Sequence, residues 1–508
     1  MRSLPPFATR DRAIGAVLVV GLGIAQAAAL AVAAFATRDA FAALHGGNAL
    51  TVSTMFALGG SGATAALCLL LSRRQAEALG QSYAVSLRRV LYEQIASLPI
   101  ARHEQRRVGA LSLRFVGDLS AARLWFGRGL PDVLTATVVL PGAVAILVAL
   151  DPVLAGAGLV PLGLALALMA ATAWHLDRRH RQLRRRRATI AIAMIERIAI
   201  APQLDLMGRT DRELGVLDEQ GEALKRDAVA RRGRTAGLQA ILQIDVALAG
   251  LTILWLAGQL GTAPATVAAS LGVLALVALP LQDLGAAWDR FCAWRVAREK
   301  AGRLLAEPTM ARKPADASAP TNVSVRGTHK GDAVDLLAPA GAVTRIEGPK
   351  AGELARVIAG LDREDGLSLA FDGRPDAPRI AYIGDEHIGI QGSLRRAATL
   401  SARRRPKDKT IAKMLSAFDL NDMLSHPEGL DQRIAENGRG LDSASTLRLD
   451  LARAVLGEAD LIVISSRRWW ADPARDSLLA TLLHNSPATV IIAETPNHSN
   501  FEQNSKAH

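Results

Sequence analysis

Hydrophobic positions divide the chain into two unlike parts. In the first part they run on without the regular polar breaks that mark a single wet face. "AIGAVLVVGLGIAQAAALAVAAFA" occupies residues 13–36 and "VSTMFALGGSGATAALCLLLS" residues 52–72. Residues 131–150 and 152–174 form a close pair, split by Asp151-Pro152, and two more runs lie near 236–257 and 265–286. A bilayer core takes ~20 apolar residues per helix, so the pattern predicts about six membrane spans. From residue 322 onward the runs are short and β-like: "AVTRIEG", "LSLAFDG", "RIAYIG", "LIVISS" and "TVIIAE". Helical stretches such as 353–360 and 444–457 separate them. Alternating strands and helices predict a mostly parallel sheet with helices on its faces. The stretch between, "EPTMARKPADASAPTN", is rich in Pro, Ala and charge and reads as a linker. The division is therefore a membrane domain at 1–305, a linker at 306–321 and an α/β domain at 322–508.

Charge supplies an orientation. Arg2, Arg10 and Arg12 precede the first span, and the next connection is nearly free of positive charge. Arg73, Arg74, Arg88, Arg89, Arg102, Arg106 and Arg107 follow the second span. The fourth span is followed by Arg178, Arg179, Arg181 and Arg184 to Arg187, whereas "GQLGTAPAT" after the fifth is uncharged. This alternation puts both termini and two long connections on the cytoplasmic side, the arrangement expected of a bacterial inner-membrane protein. The competing reading of 13–36 is a cleaved signal peptide, against which its length and consistent orientation both count. The long connections read as helical levers reaching a cytosolic domain, or as basic faces against lipid headgroups.

Composition agrees with a membrane protein. Half of the 508 residues are hydrophobic and the net charge is +12. Aromatic residues make up only 4%, which removes the stacking platforms of single-stranded nucleic-acid binders. Cys68 and Cys292 are too few for a disulfide framework or a metal cluster. His387, His426 and His484 are isolated and lack ligand spacing. "GGSGA" at 59–63 predicts close helix packing, and Pro280 predicts a kink in the last span. Asp245 is an acid inside an apolar run, open to either a functional or an interfacial structural role.

Longer motifs bring a resemblance. "RRVGALSLRFVGDLSAARLWFGRGLPDVL" is similar to the first inner connection of ATP-binding cassette (ABC) exporters, with Gly109, Leu111, Arg114 and Asp118 in matching places. "ARVIAGLDREDGLSLAFDG" resembles the helix and hairpin after that family's phosphate loop. "RIAYIGDEHIGIQGSLRRA" resembles its glutamine loop, and "AENGRGLDSASTLRLDLARAVLGEADLIVISS" its signature helix and acidic strand. The resemblance covers nearly the whole chain. It implies a half-transporter: a six-helix exporter-type domain fused to a P-loop-like cassette that dimerises around a substrate path.

At the chemical positions the chain departs from that family. A phosphate loop needs G-x-x-x-x-G-K-[ST], whose N–H groups and lysine hold phosphates and whose hydroxyl holds magnesium. Here the run is Gly348-Pro349-Lys350-Ala351-Gly352-Glu353-Leu354. Gly348, Lys350 and Gly352 are what is left of a nucleotide contact, and Glu353 would repel phosphate at the helix start. Asp385 stands at the magnesium-sensing glutamine, Ser465 and Ser466 at the paired acids, and Thr495 at the switch histidine. Asp472 keeps the aspartate of the loop after the acidic strand. The signature L-S-G-G-Q, read across the dimer by the partner's nucleotide, is Leu441-Asp442-Ser443-Ala444-Ser445. Each composite site of such a dimer takes the phosphate loop from one chain and the signature from the other, so both would be impaired. Losing one charge-stabilising donor costs ~10²–10³ in rate, and several are missing here.

The expectation is thus a non-catalytic exporter subunit paired with a second half-transporter, as a homo- or heterodimer. ATP and Mg²⁺ enter by family alone, and tight binding of either is not expected. The substrate, a small molecule or a peptide, is not encoded in any motif. The alternative is an ATP-independent membrane scaffold or regulator descended from an exporter. Nucleic acid is not expected as a partner.

Overall fold

The computed structural model describes residues 3–104, 117–310 apart from much of 165–199, 319–372, 378–435 and 438–494. Two compact units emerge: Met1–Ala96 with Gln105–Pro308, and Ser97–Glu104 with Thr309–His508. The boundary between the units lies near residue 308. The transfer of Ser97–Glu104 to the second unit is not foreseen by a division at 1–305 and 322–508.

The first unit is helical. It holds α1 (Arg10–His45) and α2 (Val52–Ala96). The short α3 (Ile100–Glu104) belongs to the second unit. The helical unit continues with α4 (Gly117–Leu150), α5 (Pro152–Leu164), α6 (Ala201–Leu206), α7 (Thr210–Leu260) and α8 (Pro264–Leu305). Among the described residues, α1, α2, α4, α8 and the Gln243–Leu260 part of α7 are long and apolar enough to cross a membrane. α5 covers the start of the expected fourth span, and the rest of that span lies outside the described residues, as do Gly109, Leu111, Arg114 and Arg178. α8 runs on through Pro280 without a break in its helical assignment.

Many large side chains of these helices point outward, as with Phe56 at 77% exposure and Val160 at 74%, which suits a lipid solvent. The inward positions of α1 include the small residues Ala29, Ala34, Ala36 and Ala40, while Leu87, Leu147, Leu154, Ile253 and Leu281 fill the inside of the other helices. Small residues let helices approach in lipid, where burial of apolar surface alone drives nothing. Among the described residues the glycines of "GGSGA" do not make the expected close approach: a Cβ at Gly59, Gly60 or Gly62 would meet nothing within 4 Å, and only Ser61 between them is buried. The close approach comes one span-length later. A Cβ on Gly80 would lie 2.6 Å from both the Arg123 carbonyl oxygen and the Cα of Gly127. Gly127 sits in a π-helical turn of α4, Trp125–Gly129. An ionic bridge ties the same helices. Buried Asp132 of α4 accepts from Arg73 of α2 and Arg290 of α8, each at 2.6 Å. Arg73 also donates to Asp283 of α8 at 2.9 Å.

The second unit is α/β. Its elements are β1 (Val323–His329), β2 (Asp332–Ala338), β3 (Val343–Ile346), α9 (Ala351–Ile358), β4 (Leu367–Phe371) and β5 (Ile380–Ile383). There follow β6 (Gly392–Ser393), α10 (Leu394–Ala398), α11 (Asp408–Ala417), α12 (Asn421–Leu424) and β7 (Arg433–Ile434). The last are α13 (Ser443–Leu456), β8 (Leu461–Ile464), α14 (Arg467–Ala471), α15 (Arg475–Asn485) and β9 (Thr489–Ala493). The core sheet is parallel with order β3-β9-β8-β5. Strands β8 and β9 are buried on both faces, which explains their unbroken apolar runs. "LSLAF", a β-like run in the stretch that resembles a helix and hairpin, joins an antiparallel sheet of order β2-β1-β4. Its alternating half-buried pattern is that of a one-sided sheet. α9 packs Leu354, Ala355 and Ile358 between the two sheets. α13 carries the core of the other side, with Leu447, Leu449 and Leu451 fully buried.

Candidate functional site

Parallel strands leave their carboxyl ends on one edge of the sheet, where α/β domains place their ligands. That edge gathers the turn after β3, Asp385 after β5, Ser465 and Ser466 after β8, and Glu494 after β9. The sequence therefore sends the expected chemical positions to one place. Thr495 lies outside the described residues.

The turn after β3 has the outline of a phosphate loop and is closed on itself. Gly348 takes φ 114°, open to glycine. Ala351 N–H donates to Gly348 O and Glu353 N–H to Lys350 O, both at 3.1 Å. Two main-chain donors of the turn, Ala351 N–H and Glu353 N–H, are thus engaged within it. Lys350 occupies the position before α9, and Gly352 is the second residue of the helix.

The tip of the β1–β2 hairpin supplies counter-charges. Its turn, Lys330-Gly331, has positive φ at both residues, the conformation that two-residue hairpins favour. Lys330 Nζ pairs with Glu353 Oε2 in the first turn of α9. Lys350 Nζ donates to Lys330 O at 2.8 Å and to Asp332 Oδ2 at 3.0 Å. The hydrogen bond with Lys330 holds the Glu353 carboxyl below its ordinary pKa. A carboxylate with a fixed ammonium partner thus fills the helix N-terminus, which in an anion site would receive phosphate.

The other positions are cross-linked in the same way. Asp385 accepts from Arg467 N at 2.6 Å and from Arg467 Nε at 3.0 Å. Ser466 caps α14 by accepting from Arg468 N at 3.2 Å. An arginine therefore lies against Asp385, and among the described residues no group of three or more His, Cys, Asp or Glu side chains could hold a metal ion. Asp442 caps α13 by accepting from Ser445 N at 3.2 Å, and the Ser445 side chain, helped by this N–H, holds the carboxyl below its ordinary pKa. Asp442 and Ser443 are exposed while Leu441 packs on the core. Asp472 is buried, accepts from Ala474 N at 2.9 Å and lies 3.7 Å from Arg448. The residues present do not fit Mg²⁺-ATP.

One cluster is invisible in the sequence. Asp450 of α13 accepts from Arg453 Nη1 at 3.2 Å through Oδ1 and from Arg468 Nη2 at 3.0 Å through Oδ2. His387 Nδ1 lies 2.8 Å from Asp450 Oδ1, close but not aligned as a hydrogen bond. Arg453 also donates to Ala397 O and Ile388 O, and Arg468 to Gly384 O. Burial pushes the Arg453 guanidinium below its ordinary pKa, against the pull of Asp450. His387 is thus part of an ionic hub that joins the signature helix, the Asp385 loop and α14. The four residues come from three distant stretches, and nothing in their spacing announces the hub.

The comparisons agree with this architecture. Residues 14–272, just over half of the chain, match the ABC transporter transmembrane region. The chain belongs to that family, and it is an integral membrane protein. A bacterial Atm1-family ABC exporter with ATP bound superimposes with a TM-score of 0.78. That match is 17% identical and covers 97% of this chain and 92% of the exporter. An uncharacterized ABC transporter ATP-binding protein of Sinorhizobium fredii, y4gM, is 27% identical over 143 residues. The match spans 26% of this chain and about a quarter, 24%, of that relative. Helical domain and cassette together give the fold of an ABC exporter half-transporter.

Proposed function

We propose that the chain is a non-catalytic subunit of an ABC exporter, joined to a second half-transporter in a bacterial inner membrane with both termini cytoplasmic. Its helical domain contributes half of a substrate path, and its cassette docks on the partner without turning over ATP. The observation that carries this reading is the Lys330–Glu353 pair at the start of α9. A site that lost only its lysine could be completed by solvent cations. A site whose helix start carries a carboxylate, here half-exposed beside its ammonium partner, presents negative charge to an incoming phosphate.

Asp442 extends the argument to the partner's nucleotide, since an acid now stands at the helix start that should approach it. The same acid favours a second reading, an ATP-independent membrane scaffold or regulator. Mg²⁺-ATP turnover by the complex taken from native membranes in mild detergent, with its subunits identified, separates the two. Turnover with an intact cassette partner supports the subunit. No turnover and no cassette partner supports the scaffold. Turnover by this chain alone refutes both.

A further inference from the structure

The turn between α10 and α11 of the α/β unit carries a dense positive charge. From Arg395 to Lys413 the chain has eight basic residues and one acid, more than half of its net charge of +12. The acid, Asp408, is already taken: Arg395 donates to it at 3.1 Å and also pairs with Asp431. Arg405 comes no nearer to Asp408 than 4.0 Å. Arg404, Lys407, Lys409 and Lys413 are exposed and have no ion pair among the described residues.

A fixed frame presents these cations. Leu394, Ala397 and Ala398 anchor α10 in the core, and Ile411 and Leu415 anchor α11. Between the helices Ser401 Oγ donates to Arg453 O at 2.9 Å, and Ala402 N donates to Thr399 O at 3.1 Å. Pro406 stiffens the backbone just before α11. Lys409 and Lys413 stand one turn apart on α11, on the side away from buried Ile411 and Leu415. Like charges held this close repel one another, and an anion that neutralises several of them has little backbone to order first.

The surroundings narrow the kind of anion. Between Arg395 and Leu415 there is no aromatic side chain and no Asn or Gln, so nucleic-acid bases would be neither stacked nor read. The apolar face of α11 is already buried, so a lipid surface would gain no inserted helix face. Carboxylates on a polypeptide need neither. Arg395 shows how they are taken here, holding one on α11 and one beyond it. An extended strand sets alternate side chains about 6.6–6.8 Å apart on one side, close to the roughly 5–6 Å between Cβ atoms one helical turn apart, as at Lys409 and Lys413.

We propose that the Arg403–Lys413 surface docks an acidic polypeptide segment in an extended conformation. The contact lies on the α/β unit alone and does not depend on whether the cassette hydrolyses ATP.

The test uses the full-length chain in phosphatidylcholine nanodiscs and a short fluorescein-labelled peptide of alternating Glu and Ser, read by anisotropy. The expected result is saturable binding that weakens as salt rises. Arg404→Gln, Lys409→Gln and Lys413→Gln together should weaken it about tenfold, the worth of three exposed ion pairs. Arg88→Gln, Arg212→Gln and Arg226→Gln remove the same charge from exposed positions of the helical unit and should leave binding within about twofold. Absence of saturable binding overturns the proposal, and so does an equal loss in both triple variants. Tighter binding of a single-stranded RNA or of phosphatidylserine vesicles through Arg404, Lys409 and Lys413 would assign the surface to phosphate and overturn it as well. Should the first triple variant not fold, equal binding of a peptide with Gln in place of Glu by the unmodified chain has the same force.

Discussion

Replacing Asp450 by Asn tests the ionic hub directly. The substitution keeps the shape of the side chain and removes its charge. Arg453 and Arg468 then remain with side-chain exposures of 10% and 9% and no carboxylate between them. Breaking a buried ion pair from one side costs about 3–5 kcal/mol. The lower end applies, because Arg453 keeps its bonds to Ala397 O and Ile388 O and Arg468 keeps Gly384 O. In a domain of this size each kcal/mol moves Tm by about 2–4 °C, so about 3 kcal/mol predicts a fall of about 6–12 °C. The full-length protein in detergent is the sample. Thermal melting gives the magnitude, and hydrogen–deuterium exchange gives the place. Faster exchange should appear in residues 384–388 and 443–456, the segments the hub joins. A change below about 2 °C with unaltered exchange there would refute the claim that Asp450 holds these elements together.

Three further outcomes are expected. Glu353→Lys should tighten binding of a fluorescent ATP analogue several-fold while turnover stays at background, since the magnesium ligands are still missing; new turnover would contradict the reading of Asp385, Ser465 and Ser466. The carboxyls of Glu353 and Asp442 sit below their ordinary values in the fold. Their contribution to stability is therefore full above the unfolded-state carboxylate range and is lost as pH falls through the lowered values, so acid melts should lose less in Glu353→Gln than in the unmodified chain. Gly80→Val should cost at least the ~1–3 kcal/mol of an overpacked core, because its Cβ would meet backbone, which cannot yield as a side chain can; an unchanged melting temperature in detergent would show that α2 and α4 separate freely.

The spans were legible because lipid demands an unbroken apolar surface of fixed length, and α1, α2, α4 and α8 deliver it. β8 and β9 were legible for a related reason, both faces being buried. α9 and α13, expected over 353–360 and 444–457, lie at Ala351–Ile358 and Ser443–Leu456. β1 and β2 were not called, since their exposed faces are polar and only the Lys330-Gly331 turn marks the hairpin. Glu353 and Asp442 could be singled out in the sequence by comparing motifs. Their partners could not. Lys330 reaches Glu353 across a hairpin, and Arg467 reaches Asp385 between two strands that are neighbours only in the sheet. The Asp450 hub draws on residues spread from 387 to 468, and its meaning lies wholly in the packing of α13.

The placement of Ser97–Glu104 with the second unit has a consequence for how the protein is made. Ile100 N donates to Leu361 O, and Ala101 N donates to Asp362 Oδ1, at 2.8 and 2.9 Å. Met310 N closes the same segment by donating to Ser97 O at 2.7 Å. The ribosome adds about 5–20 residues each second, so Ile100 leaves it roughly 13–50 s before its acceptor exists. In that interval the segment has none of these three bonds, while several membrane spans are being inserted behind it. The cassette can complete its fold only by recovering a piece of chain synthesised before most of the membrane domain. A translation product released before residue 361 would leave that piece unsatisfied, and no single cut in the sequence would free the cassette whole.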